Sequence, residues 1–451
     1  MKRKYILALF AMFILSVNAQ EVLTLQMCRE LALKNNKDMA SAELQTKYAH
    51  YTMKSYWGNF FPNFTAHGMG IYSTADGELK VPGGNLPVMK PVASGQFVPT
   101  GEFAYFPGLA LNYDINTIYG VGISVEQPIY MGGKIIAAYR MSKKGKELAR
   151  LNEDLTTSEV ILATDNAYVL LVKAQELKKV ADSYNQVLQE LKKNVDSAYK
   201  HGLKSQNDVL KVQVKLNESE LAIRKAENAI RLASMNLCHY IGHPLINHIE
   251  VTNDMPEMAM GMYADANDIT ARPEYEMLNK KVEIAKQQVK LSRSEMLPKI
   301  GIKGSYDYAH GMKVMDENFF DQAGFNVMLN VSLPIFHFGE RYNKVRASKV
   351  KLQQARLEQT NINEKMLLEL TQASNNLEEA RLEAELSDRS LQQAEENMKV
   401  SKGHYNSGLE SLSDHLEAQA LWQKAYATKI DTYFQLYLTY IKYLKASGRL
   451  K

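Results

Sequence analysis

The chain has 451 residues, and its 54 basic and 50 acidic side chains leave a formal net charge of +4. So even a balance gives no basis for nucleic-acid binding, and only two cysteines, Cys28 and Cys238, exclude a disulfide-built scaffold. Beyond Gln20 no apolar run reaches the roughly twenty residues of a membrane-spanning helix, so any membrane crossing falls to β-strands.

Residues 1–19 read as a secretory signal: Met1-Lys2-Arg3-Lys4, an apolar core over 5–15, then Ser16-Val17-Asn18-Ala19 with small residues at the cleavage positions. The mature chain is expected to start at Gln20. In an oxidising compartment, with no dense cysteine framework, Cys28 and Cys238 read as two buried thiols more readily than as one disulfide.

From here the chain is one unit written twice, the first repeat over 20–245 and the second over 246–451. Tyr199, Gly202, Leu203, Ser205, Asp208, Leu210 and Gln213 recur, at a constant offset of 206, as Tyr405, Gly408, Leu409, Ser411, Asp414, Leu416 and Gln419. The same offset lays Gln127-Pro128-Ile129-Tyr130 on Leu333-Pro334-Ile335-Phe336, and Gly242 on Gly448. Nearer the start of each repeat Phe61-Pro62 aligns with Leu297-Pro298 at an offset of 236, so the first repeat carries 30 extra residues. Gly and Pro crowd that insertion, between Ser73 and Thr117, which reads as a long irregular loop.

Taken in chain order, the first repeat predicts strands over about 63–73 and 118–130, a long helix over about 134–200 and a return helix over about 205–241. Strand patterning rests on alternation of period two, as in Ile118-Tyr119-Gly120-Val121-Gly122-Ile123. The long helix rests on a seam stepping by three and four through Val160, Ala163, Ala167, Leu170, Ala174, Leu177, Ala181, Tyr184, Leu188, Leu191 and Val195, the mark of a left-handed coiled coil. His201-Gly202 then ends the helix. The second repeat predicts a helix over about 272–297, strands over about 299–310 and 324–334, a long helix over about 340–404 and a return helix over about 411–447. Tyr72, Tyr119, Tyr130, Tyr306, Tyr308, Phe336 and Phe338 fall toward strand ends, where aromatic girdles meet the lipid interface.

The fold class that follows is mainly α with a membrane β-barrel portion: duplicated long coiled-coil helices plus two β-hairpins per protomer. Four strands fall short of the smallest membrane barrels, which need about eight, so the wall must be completed between subunits. Pro62, Pro128, Pro298 and Pro334 stand at the helix–strand junctions, where a residue without an N–H can end a ladder. Gly132, Gly133 and Gly339 let the chain turn from strand into helix.

A signal, a duplicated helix–hairpin–long helix–turn–return helix unit and a strand-ending Gln127-Pro128-Ile129-Tyr130-x-Gly132-Gly133 together resemble the TolC-like outer membrane factors over essentially the whole mature chain. The resemblance implies a homotrimer whose pooled strands form one outer-membrane barrel against lipid and whose helices continue it as a periplasmic tunnel. It implies further partners, a periplasmic adaptor protein and an inner-membrane pump, with docking at the tip turns Gly202-Leu203-Lys204-Ser205 and Gly408-Leu409-Glu410-Ser411. The family's constricting carboxylates carry over to Asp414 and Glu417, three apart and so on one helix face. A tip-closing hydrogen bond carries over to Asp208 and Tyr405. Where some relatives have Arg in the second turn this chain has Glu410, which puts an Arg-based lock in doubt.

The only group of ligand-type residues, Cys238-His239 with His243 and His248, straddles a helix end marked by Gly242 and Pro244, so no metal site and no cofactor is expected. Neither a phosphate loop nor a nucleophile elbow is present, and no enzyme activity is expected. Two rival readings are a periplasmic coiled-coil adaptor and a structural protein of an envelope complex. The first needs a single hairpin flanked by β-domains, and the second gives the alternating strands no purpose.

Overall fold

The computed structural model describes residues 22–92, 95–246, 249–252, 268–314 and 317–450, so the signal over 1–19 lies outside the described residues. The elements in chain order are α1 (Leu25–Asn35), α2 (Lys37–Gly58), β1 (Asn63–Tyr72), β2 (Asp76–Val81), β3 (Gly84–Pro91), β4 (Phe97–Phe106), β5 (Leu109–Met131), α3 (Lys134–Lys200), α4 (Gln206–Ile241), α5 (Pro273–Ser294), β6 (Lys299–Val314), β7 (Glu317–Ser332), α6 (Glu340–Asn406) and α7 (Leu412–Ala446). They divide into two compact units: one of residues 1–51, 143–284 and 353–451, the other of 52–142 and 285–352. No helix among the described residues is long and apolar enough to cross a membrane.

The first unit is helical. α3 and α6 are each 67 residues long and contain no proline, and at such lengths packing rather than propensity sustains the helix. Tyr168, Leu171, Val172, Leu237, Ile241 and Tyr437 are buried together beneath Cys28 and Ala32 of α1. Because α3 is covered on several sides here, consecutive residues from Ala167 to Val169 are buried while Leu170, a member of the apolar seam, is half exposed. A second cluster of Tyr184, Leu188, Leu191, Val195, Val212, Leu216, Leu412 and Leu416 ties α3, α4 and α7 together near their turns.

One buried ion pair crosses this unit. Arg29 donates from Nε to Asp165 Oδ1 at 2.8 Å and from Nη2 to Tyr437 Oη at 3.2 Å. The Asp165 side chain is fully buried, and burial raises its carboxyl above the ordinary value even against Arg29. Cys28 and Cys238 are buried thiols and not a disulfide. Burial, then the Asp165 charge, pushes Cys28 up to about 12, which removes the thiolate character that reactivity needs.

The second unit holds the strands, together with one end of each of α2, α3, α5 and α6. The antiparallel strand order is β1-β5-β6-β7, with β2 pairing the far part of β5, and β3 and β4 form a separate hairpin. The irregular loop expected between Ser73 and Thr117 is therefore mostly strand. The alternation Leu109, Leu111, Tyr113 carries β5 nine residues beyond its expected start at 118, and the insertion's glycines mark turns between strands rather than absence of structure. Tyr119, Tyr306 and Tyr308 also depart from expectation: in mid-strand rather than at a strand end, Tyr119 pairs Gly70 and His310, Tyr306 pairs Ile123 and Phe325, and Tyr308 pairs Val121 and Ala323.

Candidate functional site: the paired turns and the strand wall

The α3–α4 turn is built from two capping devices placed back to back. α3 closes with a Schellman arrangement: the Gly202 N–H donates to Tyr199 O at 2.9 Å and the Leu203 N–H to Ala198 O at 2.8 Å. Gly202 takes φ +74°, a conformation that a Cβ opposes. Ser205 then caps α4, its Oγ accepting from the Asp208 N–H at 3.2 Å while Asp208 Oδ2 accepts from the Ser205 N–H at 3.1 Å, a reciprocal capping box.

The α6–α7 turn repeats this construction. Gly408 also has φ +74°, its N–H donates to Tyr405 O at 3.1 Å, and the Leu409 N–H donates to His404 O at 2.9 Å. Ser411 accepts from the Asp414 N–H at 3.2 Å. Schellman turns usually bury the residue after the glycine against the helix. Here Leu203 is 77% and Leu409 78% exposed, so both turns leave an apolar knob in the open. The turns lie together: Lys211 Nζ donates to Ser413 Oγ at 2.9 Å, and Lys204 Nζ sits 4.9 Å from the centre of the Tyr405 ring.

Asp208 and Asp414, assigned different roles from the sequence, share the third position of their helices, and each carboxylate accepts from the hydroxyl of its N-cap serine, while Asp208 also accepts from the Ser205 N–H. Hydrogen bonds from Ser205 hold the Asp208 carboxyl below its ordinary value. In the single chain Asp208 bonds to Ser205, whereas Tyr405 stacks on His415 with its phenol raised by burial and then by the Asp208 charge. Asp414 and Glu417 both face out from α7 and are exposed.

Sequence reasoning missed His415. It is buried, with Nδ1 3.0 Å from Ser401 Oγ and Nε2 2.8 Å from Gln419 Nε2. Ser401 in turn donates to Glu410 Oε1 at 2.8 Å, so Glu410 serves a buried network where an Arg lock was in question. Burial lowers the imidazole below its ordinary value, partly offset by Glu410. The only sequence signal was a histidine on an apolar seam, which more often marks plain packing than a network.

In the sheet unit the register sorts the wall into two faces. Phe64, Val125 and Val327 share one face with Ala66, Ile123, Tyr306 and Phe325; Thr65, Ser124, Ser305 and Asn326 form a row on the other. One face is thus apolar and the other polar. Among the described residues, β1 and β7 have no further strand beside them.

Junction residues behave less uniformly than their spacing suggests. Pro62 and Pro298 immediately precede β1 and β6, and Pro334 lies beyond β7. Pro128 does not end its strand; β5 continues to Met131 through a register shift between Pro128 and Tyr130, where the ladder makes no demand on the missing N–H. Gly132 and Gly133 take φ +63° and +82°, and the matched Phe338 and Gly339 take +43° and +80°. A Cβ on Gly132 would lie 2.6 Å from Ser294 O, so here glycine answers a close approach as well as the turn.

Among the described residues no group of three or more His, Cys, Asp or Glu side chains is placed to hold a metal ion; His248 lies outside them.

The chain is similar to known proteins in sequence and in fold. The chain is 23% identical over 288 residues to the outer membrane efflux protein BepC of Brucella suis biovar 1 (strain 1330), an alignment covering 62% of this chain and 61% of that protein. The aligned chain thus spans about three fifths of the length of that relative. Among solved structures, the Campylobacter jejuni CmeC outer membrane channel superposes with a TM-score of 0.77 at 20% identity, covering 95% of this chain and 86% of that one. The outer membrane protein VceC of Vibrio cholerae gives 0.74 at 15% identity, covering 94% and 96%. The Neisseria gonorrhoeae MtrE outer membrane channel gives 0.72 at 15%, covering 95% and 89%. With the outer membrane efflux protein family model matching residues 28–243 and 270–448, well over half of the sequence, the chain belongs to that family.

Proposed function

We propose that the chain is the outer-membrane exit duct of a tripartite efflux pump or a type I secretion system, passing substrates from the periplasmic side to the outside without chemistry of its own. The observation that carries this reading is the wall: four antiparallel strands with one apolar and one polar face, whose edges β1 and β7 have no partner among the described residues. Unpaired edges in lipid are untenable because no water satisfies their N–H and C=O groups, and four strands are too few to close. A homotrimer closes the wall by pairing β7 of one copy with β1 of the next. Family membership supports the location in the outer membrane, with the helical unit on the periplasmic side.

The paired turns suit docking of a periplasmic adaptor, and through it an inner-membrane pump, because each presents an exposed leucine that its own helix does not use. Threefold repetition of Asp414 and Glu417 would gather carboxylates into one ring, favouring cations and resisting closure. A bond from Asp208 to Tyr405 would require Asp208 to leave its cap, which makes it a contact of one gate state only.

Fractionation tests the duct. Retention in the outer membrane after a high-salt wash, together with a detergent-stable trimer, is expected; a stable monomer in buffer without detergent would overturn the reading. For the ring, single-channel cation selectivity is compared between the unaltered protein and Asp414→Ala with Glu417→Ala, and unchanged selectivity removes it.

A further inference from the structure

The polar face of the wall holds a pair of side chains that the duct reading does not use. His67 on β1 and Asp307 on β6 are separated by strand β5, yet His67 Nε2 lies 3.0 Å from Asp307 Oδ1. The residue between them in the row is Gly122, paired with His67 on one side and Asp307 on the other. A Cβ there would fall 2.2 Å from Asp307 Oδ1 and 2.9 Å from His67 Nε2. The absent side chain is what lets two flanking residues meet over the top of a strand. On its other side Asp307 pairs with Gly324, and its Oδ2 accepts from Ser305 Oγ at 2.6 Å, so the carboxylate is held from within the wall.

We propose that His67 and Asp307 form a pH-responsive cation-selectivity belt on the lumen side of the strand wall. The proposal rests on the duct reading, in which the apolar face meets lipid and the polar face the lumen. Threefold closure repeats the pair around the pore at one height. Histidine is the side chain whose protonation most readily switches charge near neutral pH. A pair with the imidazolium formed is neutral and a pair with the neutral imidazole carries one negative charge, so protonation of His67 sets the charge of the belt.

Other charged groups on this face stand apart. Glu126 and Lys303 face each other across β5 and β6, four residues along from the belt, or about 13 Å at strand rise, beyond the Debye length of about 8 Å at physiological salt. From β1, Thr65 and Met69 flank His67, and from β7 Asn326 and Gln322 flank Gly324, all of them uncharged. His310 and Asp321 pair on the opposite face.

The test is the reversal potential of the reconstituted full-length trimer in a planar bilayer under a potassium chloride gradient, read from pH 5 to pH 8. Unaltered protein is expected to grow more cation-selective as pH rises. His67→Gln keeps a hydrogen-bond donor toward Asp307 but locks the belt negative, giving high cation selectivity at every pH. His67→Lys locks it neutral, giving low cation selectivity at every pH. Asp307→Asn lowers cation selectivity across the range. A pH response that survives in both His67 variants overturns the belt while leaving the duct intact. Absence of any conductance from correctly assembled unaltered protein would overturn the duct reading and the belt with it.

Discussion

Tyr405 lies flat against His415, the ring centroids 5.0 Å apart and the planes 6° from parallel. This contact seals the imidazole into the second turn, between Ser401 on α6 and Gln419 on α7. With Ser401 donating to Glu410, the neutral ring carries its proton on Nδ1, toward Ser401, and Nε2 accepts from Gln419. A second proton would set two donors, Nε2–H and the Gln419 amide, against each other.

The turn is therefore expected to be acid-sensitive. Burial lowers the folded-state pKa of His415, with Glu410 opposing and Lys402 adding to the shift. The unfolded chain binds more protons in that interval, so stability rises with pH across it. His415's contribution is complete above the ordinary imidazole value, about 6.5, and is lost as pH falls from there through the depressed value. Hydrogen exchange over residues 401–419 should quicken on moving from pH 7.5 to pH 5 in unaltered protein, and the change should disappear in His415→Gln.

Removing one partner of the buried pair in the helical core should be costly. Arg29→Met leaves the fully buried Asp165 carboxylate uncompensated, at a cost of about 3–5 kcal/mol. Adding Asp165→Asn should recover a large part of that loss. Thermal melts of the single and double variants in detergent check the coupling, and additive losses would show that the pair does not act as a unit.

At the strand-to-helix junction two neighbouring glycines should respond unequally. Gly133→Ala meets open space and suffers only the left-handed conformation, about 1–2 kcal/mol. Gly132→Ala suffers the same and also drives a Cβ to 2.6 Å from Ser294 O and 2.8 Å from Leu297 Cβ. Denaturation midpoints should fall further for Gly132→Ala than for Gly133→Ala.

The tip leucines should separate stability from docking. Leu203 and Leu409 are exposed and make no core contact, so Leu203→Asp with Leu409→Asp should change stability by no more than about 0.5 kcal/mol per site. Cross-linking to a periplasmic adaptor in cells, and efflux-dependent growth, should both be lost. Ser205→Ala makes the contrast, since losing an N-cap costs about 1 kcal/mol of stability while leaving both leucines in place.

Fold class was legible because its signals are local and periodic. A seam stepping by three and four specifies a long helix, alternation of period two specifies a strand with one apolar face, and the recurrence of Tyr199 to Gln213 as Tyr405 to Gln419 exposes the duplication. The β2–β4 insertion was not legible. Its glycines and prolines punctuate strands as readily as they fill loops, and only pairing partners distinguish the two.

Within the functional regions the same division holds. The Gly-Leu-x-Ser turns are visible in the sequence because caps form between residues three to five apart. The shared capping role of Asp208 and Asp414, the network around His415 and the bulge at Pro128 are decided by which element packs against which. His67 and Asp307 are 240 positions apart and Arg29 and Asp165 are 136 apart; no local pattern encodes such a meeting. By itself the sequence determined the long helices, the two hairpins between them and their duplication, since those follow from each residue's near neighbours. The tertiary structure alone decided which charges meet, since that depends on strand register and helix packing, and a one-residue slip would turn His67 from Asp307 to the opposite face.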